Sequence, residues 1–508
     1  MIGRLLKPHQ LLKEIKEKMT DLDSRMELFT KYLDRTNMEH KQYQYDGVRW
    51  CLNNEIRDDP PCGVRGGFVA DEMGLGKTIM MIGLMYCNFV PRTLIVLPPV
   101  LIDQWFVQIY KTTGHKSLIF HGDNKKTITD EELEAARIVI TTYGAVTLSK
   151  KQIKDKELTP LHRVAWSRII FDEAHHLRNS KTTRYIGARL LQAKSRWLVS
   201  GTPIQNRKDD FYSLCAMIRL PSSFYTNSDN LRVLARSFIL KRTKKSVGIK
   251  MTDLLIDKNI VEWLSSKEMQ LAEEIHSALA FSRVSPKKGM DKLVVSTFAG
   301  KGPLPLLLRA RQSCIYPKLM TKQLDKLVER GEIRDYNSYK EAFDHSSKLD
   351  AAVNSILERK GNGCGKLIFC HFREEIDEVA ERLRKGGMEK VATFDGRTSN
   401  SSRFQILNEK NEALVLQIQT GCEGLNLQEN YSEIYFISPH WNPAVEDQAI
   451  ARCHRIGQTK PVYVQRFEMC PFVAEEEDES DISTLTIDKY VGNVQEIKRF
   501  IAKEIIVD

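Results

Sequence analysis

Short apolar runs alternate with amphipathic helical stretches along most of this chain. In the first half the runs are GFVA (67–70), TLIVL (93–97), SLIF (117–120), RIVIT (137–141), RIIF (168–171) and RWLV (196–199). The pattern resumes with KLIFC (366–370), VATF (391–394), LVLQI (414–418), EIYFI (433–437) and VYVQR (462–466). Such alternation predicts parallel strands joined by crossover helices. Two blocks of it predict an α/β protein with two lobes.

The chain has 508 residues, which is too many for one ordinary hydrophobic core. We expect, in chain order, a helical N-terminal extension (1–40), a first lobe (41–245), helical protrusions and a linker (246–345), a second lobe (346–470) and an acidic, helical tail (471–508). One face of the extension carries Leu11, Leu12, Ile15 and Met19. The acidic run EEEDE (475–479) is more typical of a solvated linker than of a partner site.

The composition, with 42% hydrophobic and 28% charged residues, is typical of a soluble globular protein. The net charge of +10 fits a phosphate-backbone partner, although many basic proteins bind no nucleic acid. The ten cysteines occur singly, with Cys364 and Cys370 the closest pair, which argues against a zinc ribbon or RING finger and favours a reducing compartment. The charged N-terminus does not resemble a signal peptide, and the longest apolar stretch (93–102) is too short to span a bilayer. We expect a soluble intracellular protein without a membrane partner.

A glycine-rich turn follows the first apolar run in GFVADEMGLGKT, directly before a helical stretch. Gly74 and Gly76 would let backbone N–H groups close on phosphate oxygens, and the helix N-terminus adds positive potential. Lys77 could reach the β- and γ-phosphates, and the Thr78 hydroxyl could ligate Mg²⁺. The simpler interpretation is a glycine-rich turn with an exposed lysine, which the strand–loop–helix context weakens. The predicted nucleotide-binding loop consists of Asp71, Glu72, Met73, Gly74, Leu75, Gly76, Lys77 and Thr78.

An acidic pair ends a later strand in RIIFDEAHHL, and we expect that strand to lie beside the strand of the glycine-rich loop. Asp172 would then hold Mg²⁺, and Glu173 would orient or deprotonate an attacking water. Alone, such a pair is more typical of a helix start. A glycine-rich phosphate loop followed by a strand-borne acidic pair, however, is the two-part signature of an ATPase.

The segment RWLVSGTPIQN is again a strand that runs into a polar turn. Ser200, Thr202 and Gln205 could bond to the acidic loop, particularly to His175, and so sense the γ-phosphate. By itself, a tight turn over residues 201–203 is the simpler interpretation.

A helix that projects arginines is predicted in SPHWNPAVEDQAIARCHRIGQ, with Asn442 as N-cap and Pro443 at its first position. Gln448, Arg452 and Arg455 are spaced i, i+4 and i+7, which would place them on one face. Such arginines could stabilise the charge that develops on a transferred phosphoryl group. Without the phosphate loop, solvated arginines would be the simpler interpretation.

Together these motifs resemble helicase superfamily 2, and within it the SWI/SNF-related DNA translocases, closest to the branch that acts in DNA repair and transcription termination. The resemblance covers about residues 40–470 and rests on DEMGLGKT, DEAH, SGTPIQN, GCEGLNL and HRIGQ in this order. It implies two RecA-like lobes with parallel sheets. Asp71, at the place of a glycine in the generic loop, is the form that this family uses.

The resemblance also implies site residues. Gln44 looks like the adenine-reading glutamine, and Asn426 beside Gly424 looks like a ribose or phosphate contact. Segments around Pro98, Thr142 and Thr420 look like contacts to the nucleic-acid backbone. FILKRTKK (238–245) looks like the end of the first lobe, and SSKLDAAVNSIL (346–357) looks like the start of the second.

Two details depart from the family pattern. Ser438 and His440 stand where acidic residues are common, and Gly421, Cys422 and Glu423 replace a more glycine-rich turn. These departures bear on how the lobes close, not on the ATPase assignment.

The resemblance implies an ATP- and Mg²⁺-dependent motor on the backbone of double-stranded DNA, bound largely without sequence preference, in which ATP lies between the lobes. Chromatin, a polymerase or a repair complex could be what it remodels, in the nucleus or, for a compact viral form, in a virion or viral replication site. An RNA helicase and an inactive DNA-binding scaffold are the alternatives.

Overall fold

The computed structural model describes residues 22–201, 208–279, 303–421, 425–472 and 485–505. Two compact units are formed by the described residues up to Lys250 and by those from Met251 to Phe500. Each unit is built on one parallel sheet with helices on both faces. No helix in these described ranges combines the length and the apolar character that crossing a bilayer requires.

The first unit has a seven-stranded sheet. Its strands are β1 (Arg65–Val69), β2 (Thr93–Leu97), β3 (Leu118–Phe120), β4 (Ile138–Thr142), β5 (Ala165–Asp172), β6 (Gln192–Val199) and β7 (Ile239–Leu240). Its helices are α1 (Leu22–Arg35), α2 (Gln42–Ile56), α3 (Lys77–Cys87), α4 (Ile102–Thr113), α5 (Asp130–Ala135), α6 (Tyr143–Val146), α7 (Lys150–Asp155), α8 (Pro160–Arg163), α9 (Thr183–Leu190), α10 (Lys208–Met217), α11 (Ser222–Tyr225) and α12 (Leu231–Phe238).

The strand order in this sheet is β3-β4-β2-β5-β6-β1-β7, and every pair of neighbours is parallel. The prediction that the acidic strand β5 lies directly beside β1 is wrong, because β6 pairs with both and separates them. The register still brings the relevant ends together. Val199 of β6 is paired with Val69 of β1 on one side and with Asp172 of β5 on the other. Three loops therefore leave the same edge of the sheet.

The second unit has a six-stranded parallel sheet in the order β10-β11-β9-β12-β13-β8. Its strands are β8 (Leu254–Val261), β9 (Gly365–Cys370), β10 (Val391–Phe394), β11 (Ala413–Gln417), β12 (Tyr431–Phe436) and β13 (Val462–Met469). Its helices are α13 (Ser266–Ser277), α14 (Pro303–Ile315), α15 (Thr321–Glu329), α16 (Lys340–Phe343), α17 (Ser347–Glu358), α18 (Arg373–Lys385), α19 (Asn400–Asn408), α20 (Ile418–Gly421), α21 (Pro443–Cys453) and α22 (Ile487–Ile505).

Strand β8 lies within the region 246–345 that was expected to be mostly helical. Helices α13 to α16 do occupy that region, but β8 pairs with β13 along its whole length and forms one edge of the second sheet. Most side chains of this strand, LLIDKNIV, are exposed. It therefore lacks the continuous apolar run by which the central strands were predicted from the sequence.

The central strands of each sheet are buried on both faces, which explains their unbroken apolar runs. In β2, Leu94 and Val96 belong to one core cluster while Ile95 and Leu97 belong to the cluster on the other face. In the second unit, strand β9 divides its side chains between two clusters in the same alternating way. Side chains alternate across a strand, so a strand covered by helices on both faces needs apolar residues at every position.

The two predicted terminal segments contribute to the cores. Helix α1 buries Met26, Phe29, Tyr32 and Leu33 in the first unit, and the start of α22 buries Ile487 in the second. The apolar positions 11–19 of the extension and the acidic run 475–479 lie outside the described residues.

Candidate functional site

The glycine-rich loop joins β1 to α3, as predicted, and its glycines are needed for their backbone conformations. Gly74 and Gly76 have positive φ angles of 92° and 81°. Gly76 directly precedes α3, which begins at Lys77 and includes Thr78 in its first turn. A Cβ atom on Gly76 would lie 2.4 Å from Nε2 of Gln44. A side chain there would be strained and would clash, so this turn requires glycine.

The predicted adenine-reading residue Gln44 is buried and belongs to α2. Its Nε2 atom donates to the backbone oxygen of Leu75 at 3.2 Å. The tertiary structure therefore places Gln44 on the glycine-rich loop, although about thirty residues separate them in sequence. Its contact with adenine stays a prediction.

Lys77 rests on the loop that precedes it. Its Nζ donates to the backbone oxygen of Asp71 at 2.9 Å and to that of Glu72 at 3.5 Å. The Asp71 carboxylate is fully buried and receives two N–H groups of Arg242, Nε at 3.1 Å and Nη2 at 2.5 Å. Asp71 therefore uses its side chain to hold the loop, and its backbone to accept from the lysine.

The acidic pair stands at the carboxyl end of β5. Trp105, buried in α4, donates from Nε1 to Asp172 Oδ2 at 2.7 Å, and Tyr143 donates from its hydroxyl to the backbone oxygen of Asp172 at 2.7 Å. Burial and the neighbouring charge of Glu173 raise the pKa of Asp172 to about 7, while the Trp105 hydrogen bond and the charge of Lys77 lower it. This carboxylate is fixed in place and poorly solvated in its ionised form, so a cation beside it would be strongly stabilising.

Glu173 has a left-handed backbone, with φ 51° and ψ 51°, which is uncommon for a residue with a side chain. A 3₁₀ turn follows at Ala174–Leu177. His175 Nδ1 lies 3.3 Å from Glu173 Oε2, and the His175 and His176 rings stack with their centroids 4.7 Å apart. Strained backbone of this kind is concentrated at functional sites because the surrounding fold must hold it.

The loop after β6 separates the glycine-rich loop from the acidic pair. Ser200 is buried, and its backbone N–H donates to the oxygen of Val69 at 3.1 Å. A Cβ atom on Gly201 would lie 2.8 Å from Met73 Cγ and 3.4 Å from Lys77 Nζ. Residues 202–207 lie outside the described part of the chain, so the proposed sensing roles of Thr202 and Gln205 remain predictions.

Helix α21 of the second unit begins as predicted. The Asn442 side chain accepts from the Ala444 N–H at 3.2 Å, and Pro443 is the first helical residue. The helix, however, ends at Cys453, because His454 has non-helical angles of φ −81° and ψ 76°. The prediction that Arg455 shares a helical face with Gln448 and Arg452 is therefore wrong.

Arg455 instead lies in a turn that the Gln458 side chain holds. Gln458 Nε2 donates to the backbone oxygens of Gln428 and Tyr431, each at 3.0 Å. The Arg455 guanidinium donates to Asn426 Oδ1. The tertiary structure thus brings together two predicted site residues, Arg455 and Asn426, that come from different motifs. Gly424 lies outside the described residues.

Gln448 and Glu446 face the interior of the second unit. Gln448 is 3% exposed, and among the described residues its Nε2 has no hydrogen-bond partner. Glu446 is fully buried; its Oε1 accepts from the His440 N–H and from Gln495 Nε2, both at 2.8 Å, and its Oε2 lies 3.1 Å from Arg466 Nη2. Glu446 thus connects the start of α21 to β13 and α22.

Ser438 stands where the family commonly has an acidic residue, and a carboxylate from α22 lies close to it. Lys348, fully buried in α17, donates to Ser438 Oγ at 2.7 Å and to Asp488 Oδ2 at 2.5 Å. An acidic residue at position 438 would have been able to neutralise this lysine. Here the carboxylate comes from Asp488 instead.

Two conserved protein domains match the chain. The SNF2-related domain matches residues 43–319, and the helicase conserved C-terminal domain matches residues 347–457. The chain therefore belongs to the SNF2-related family. Members of this family are helicase-like, DNA-dependent ATPases of superfamily 2. This confirms the resemblance that the motifs indicated.

Among individual proteins, the chain is 29% identical over 458 residues to a probable global transactivator of Orgyia pseudotsugata multicapsid polyhedrosis virus, covering 85% of this chain and 86% of that protein. It is 26% identical over 508 residues to the DNA excision repair protein ERCC-6-like of Bos taurus, covering 85% of this chain but 40% of the bovine protein. The Pyrococcus furiosus Hef helicase domain has a TM-score of 0.51 at 16% identity, over 85% of this chain and 95% of that one. This last similarity supports the RecA-like helicase fold.

Three residues of the candidate site were not predicted from the sequence. Trp105 and Tyr143 hold Asp172, and Arg242 holds Asp71. Tyr143 follows Thr142, and Arg242 belongs to FILKRTKK, so the resemblance indicated the neighbourhood of both. No local pattern, however, shows which group a distant donor will contact.

Proposed function

We propose that this chain is a Mg²⁺-dependent ATPase that moves along double-stranded DNA and remodels protein–DNA complexes. The observation that carries the proposal is the register of β1, β6 and β5. It brings the glycine-rich loop, the Ser200–Gly201 turn and the acidic pair to one edge of the sheet, with Val69, Val199 and Asp172 at the same level. Ligands of open parallel sheets bind at this carboxyl edge.

The residues at that edge fit ATP with Mg²⁺. Asp172 is a buried carboxylate beside a second carboxylate, and Thr78 supplies a hydroxyl from the first turn of α3. A Mg²⁺ ion held by these two groups would supply the positive charge that the ionised Asp172 needs. Lys77 would exchange its two backbone acceptors for phosphate oxygens, and Glu173 would orient the attacking water.

Other predicted residues keep their proposed roles. Gln44 would read the adenine from its place on the loop, and Asn426 would contact ribose or phosphate. Arg452, Arg455 and Gln448 are proposed to stabilise the charge on the transferred phosphoryl group. The Gln448 side chain is buried within the second unit.

Contacts to the DNA backbone are proposed for three segments. Pro98 directly follows β2, Thr142 ends β4, and Thr420 lies in α20 after β11. All three therefore leave the carboxyl edge of a parallel sheet, as the nucleotide loop does. Together with the net charge of +10, this supports binding to phosphates without base reading. We further propose a nuclear location, or a viral replication site.

ATP hydrolysis measured with duplex DNA, RNA or no nucleic acid tests the proposal. Duplex DNA should stimulate turnover more than RNA. Lys77→Ala and Glu173→Gln should each reduce turnover by about 10²- to 10³-fold and leave DNA binding largely intact, because one removes the proposed phosphate contact and the other the group proposed to orient the attacking water. Lys385→Ala is a matched control, since this exposed lysine of α18 forms an ion pair with an exposed glutamate one turn earlier in the same helix.

Normal turnover in either site variant would refute the site assignment, and a strong preference for RNA would make the protein an RNA helicase. A triplex-displacement assay beside a fork-unwinding assay then tests movement. Displacement without unwinding is the expected result for a duplex translocase, whereas absence of displacement would contradict translocation.

A further inference from the structure

The segment that leaves the first unit is hydrogen-bonded to the start of the glycine-rich loop. Strand β7 pairs with β1 in parallel, with Phe68 opposite Ile239 and Val69 opposite Leu240. The pairing continues beyond both strands, because Ala70 N donates to Leu240 O at 2.7 Å and Glu72 N donates to the oxygen of Arg242 at 2.8 Å. The loop therefore begins as an extension of the sheet.

Side chains reinforce this pairing at two successive loop residues. The buried Asp71 carboxylate receives Nε and Nη2 of Arg242, a two-pronged geometry that arginine provides and lysine does not. Glu72 forms a second contact: its Oε2 accepts from the Lys244 N–H at 2.7 Å, and its Oε1 lies 3.2 Å from Lys244 Nζ. We call Asp71, Glu72, Arg242 and Lys244 the loop clamp.

Arg242 also connects the clamp to α2. It donates to the backbone oxygen of Tyr43, and its guanidinium lies over the Tyr43 ring, 5.6 Å from the centroid. Tyr43 is the residue before Gln44, whose amide bonds to the loop at Leu75. One guanidinium therefore fixes both the start of the phosphate loop and the helix that carries the predicted adenine-reading residue.

The clamp holds the atoms on which Lys77 rests. The two backbone oxygens that accept from Lys77 Nζ belong to Asp71 and Glu72, whose side chains are the clamped ones. A change in the clamp would move these oxygens and thereby change how readily the lysine exchanges them for a phosphate.

We propose that Arg242 is a positioning residue for the nucleotide site, which acts through Asp71 to set the conformation of the phosphate loop. Because residues 239–244 shortly precede the boundary at Lys250, the same contacts join the nucleotide loop to the chain segment that leaves the first unit. This inference rests on the proposed role of the loop in binding ATP, and its test separates the two.

The test compares Arg242→Gln, Asp71→Asn and the double variant by the dissociation constant of a fluorescent ADP analogue with Mg²⁺. Binding is measured at a temperature at which circular dichroism shows that each protein is folded. Each single variant should bind about tenfold more weakly, equivalent to about 1.4 kcal/mol. The double variant should bind the ADP analogue no more weakly than the weaker-binding single variant, because both changes remove the same contact. Arg242→Lys should restore part of the affinity, because it keeps the charge but not the two-pronged contact.

Arg168→Gln is the matched control. Arg168 is buried in β5 and donates from Nε to Glu55 Oε1 at 2.6 Å, so it forms another buried arginine–carboxylate pair of the same unit. It should lower stability and leave the affinity of the folded protein for ADP unchanged. If Arg242→Gln does not fold, Lys244→Met tests the clamp through Glu72 and should also weaken ADP binding.

The outcomes are distinct. Failure of the unaltered protein to bind ADP would refute the proposed nucleotide site. Unaltered affinity in folded clamp variants, or additive losses in the double variant, would overturn the inference about Arg242 while leaving the site itself intact.

Discussion

Replacing Trp105 with phenylalanine should raise the Mg²⁺ concentration that ATP hydrolysis requires. The indole Nε1 donates to Asp172 Oδ2 at 2.7 Å, and both side chains are buried. Phenylalanine keeps an aromatic ring in place and removes this donor. The pKa of Asp172 is already raised to about 7 by burial and by Glu173, and the lost hydrogen bond is one of the contacts that lower it. The ionised form, which is the form proposed to bind Mg²⁺, should therefore become rarer at neutral pH.

The size of the effect follows from the charge on the acceptor. A hydrogen bond to an ionised group contributes about 1.5–3 kcal/mol. At about 1.4 kcal/mol for each factor of ten, the Mg²⁺ concentration for half-maximal turnover should rise about 10- to 100-fold. Raising the pH from 7 to about 8.5 should recover much of this loss, because Asp172 then ionises even without the donor.

The assay is ATP hydrolysis in the presence of duplex DNA over a Mg²⁺ titration at both pH values. Trp166→Phe is the control: Trp166 is also buried in the first unit, but its Nε1 donates to the backbone oxygen of Leu161 at 2.9 Å. It should lower thermal stability by a similar amount and leave the Mg²⁺ requirement unchanged. Equal shifts in the two variants, or no shift in Trp105→Phe, would refute the assigned role of the indole.

Three further predictions concern a loop glycine, a buried histidine and a buried ion pair. Gly76→Ala should abolish ADP binding, because a Cβ atom there would lie 2.4 Å from the Gln44 amide. The control is Gly114→Ala: Gly114 also has a positive φ of 67°, but a Cβ atom there would have no neighbour within 4 Å. This control should bind ADP normally and lose only about 1 kcal/mol in the free energy of unfolding. Burial lowers the pKa of His276 to about 4, so the unfolded state binds a proton at this histidine more readily than the folded state does. The free energy of unfolding should therefore fall by about 3 kcal/mol as the pH drops from 6.5 to 4. Denaturant unfolding should show a smaller fall over this pH range in His276→Gln. Lys348→Met leaves the Asp488 carboxylate buried without its cation and should cost about 3–5 kcal/mol in the free energy of unfolding; a loss below about 1 kcal/mol would contradict this account of the pair.

The sequence was sufficient for the elements and for the chemistry of single loops. Each apolar run that was assigned to a strand overlaps a strand of the structure, because a strand buried on both faces must be apolar throughout. The glycine-rich loop and the N-cap at Asn442 were also correct, since φ preferences and capping depend on residues within one turn of each other. The ordered motifs were enough to identify the family.

Strand order, helix ends and side-chain partners depended on contacts between distant parts of the chain. Nothing in a local pattern shows that β6 separates β1 from β5, or that β8 completes the second sheet. Periodicity alone did not reveal that α21 ends before Arg455, where a turn is held by bonds to residues about thirty positions earlier. Trp105 and Arg242 find their carboxylates 67 and 171 residues away. A buried carboxylate needs a donor, but packing of the whole lobe decides which residue provides it.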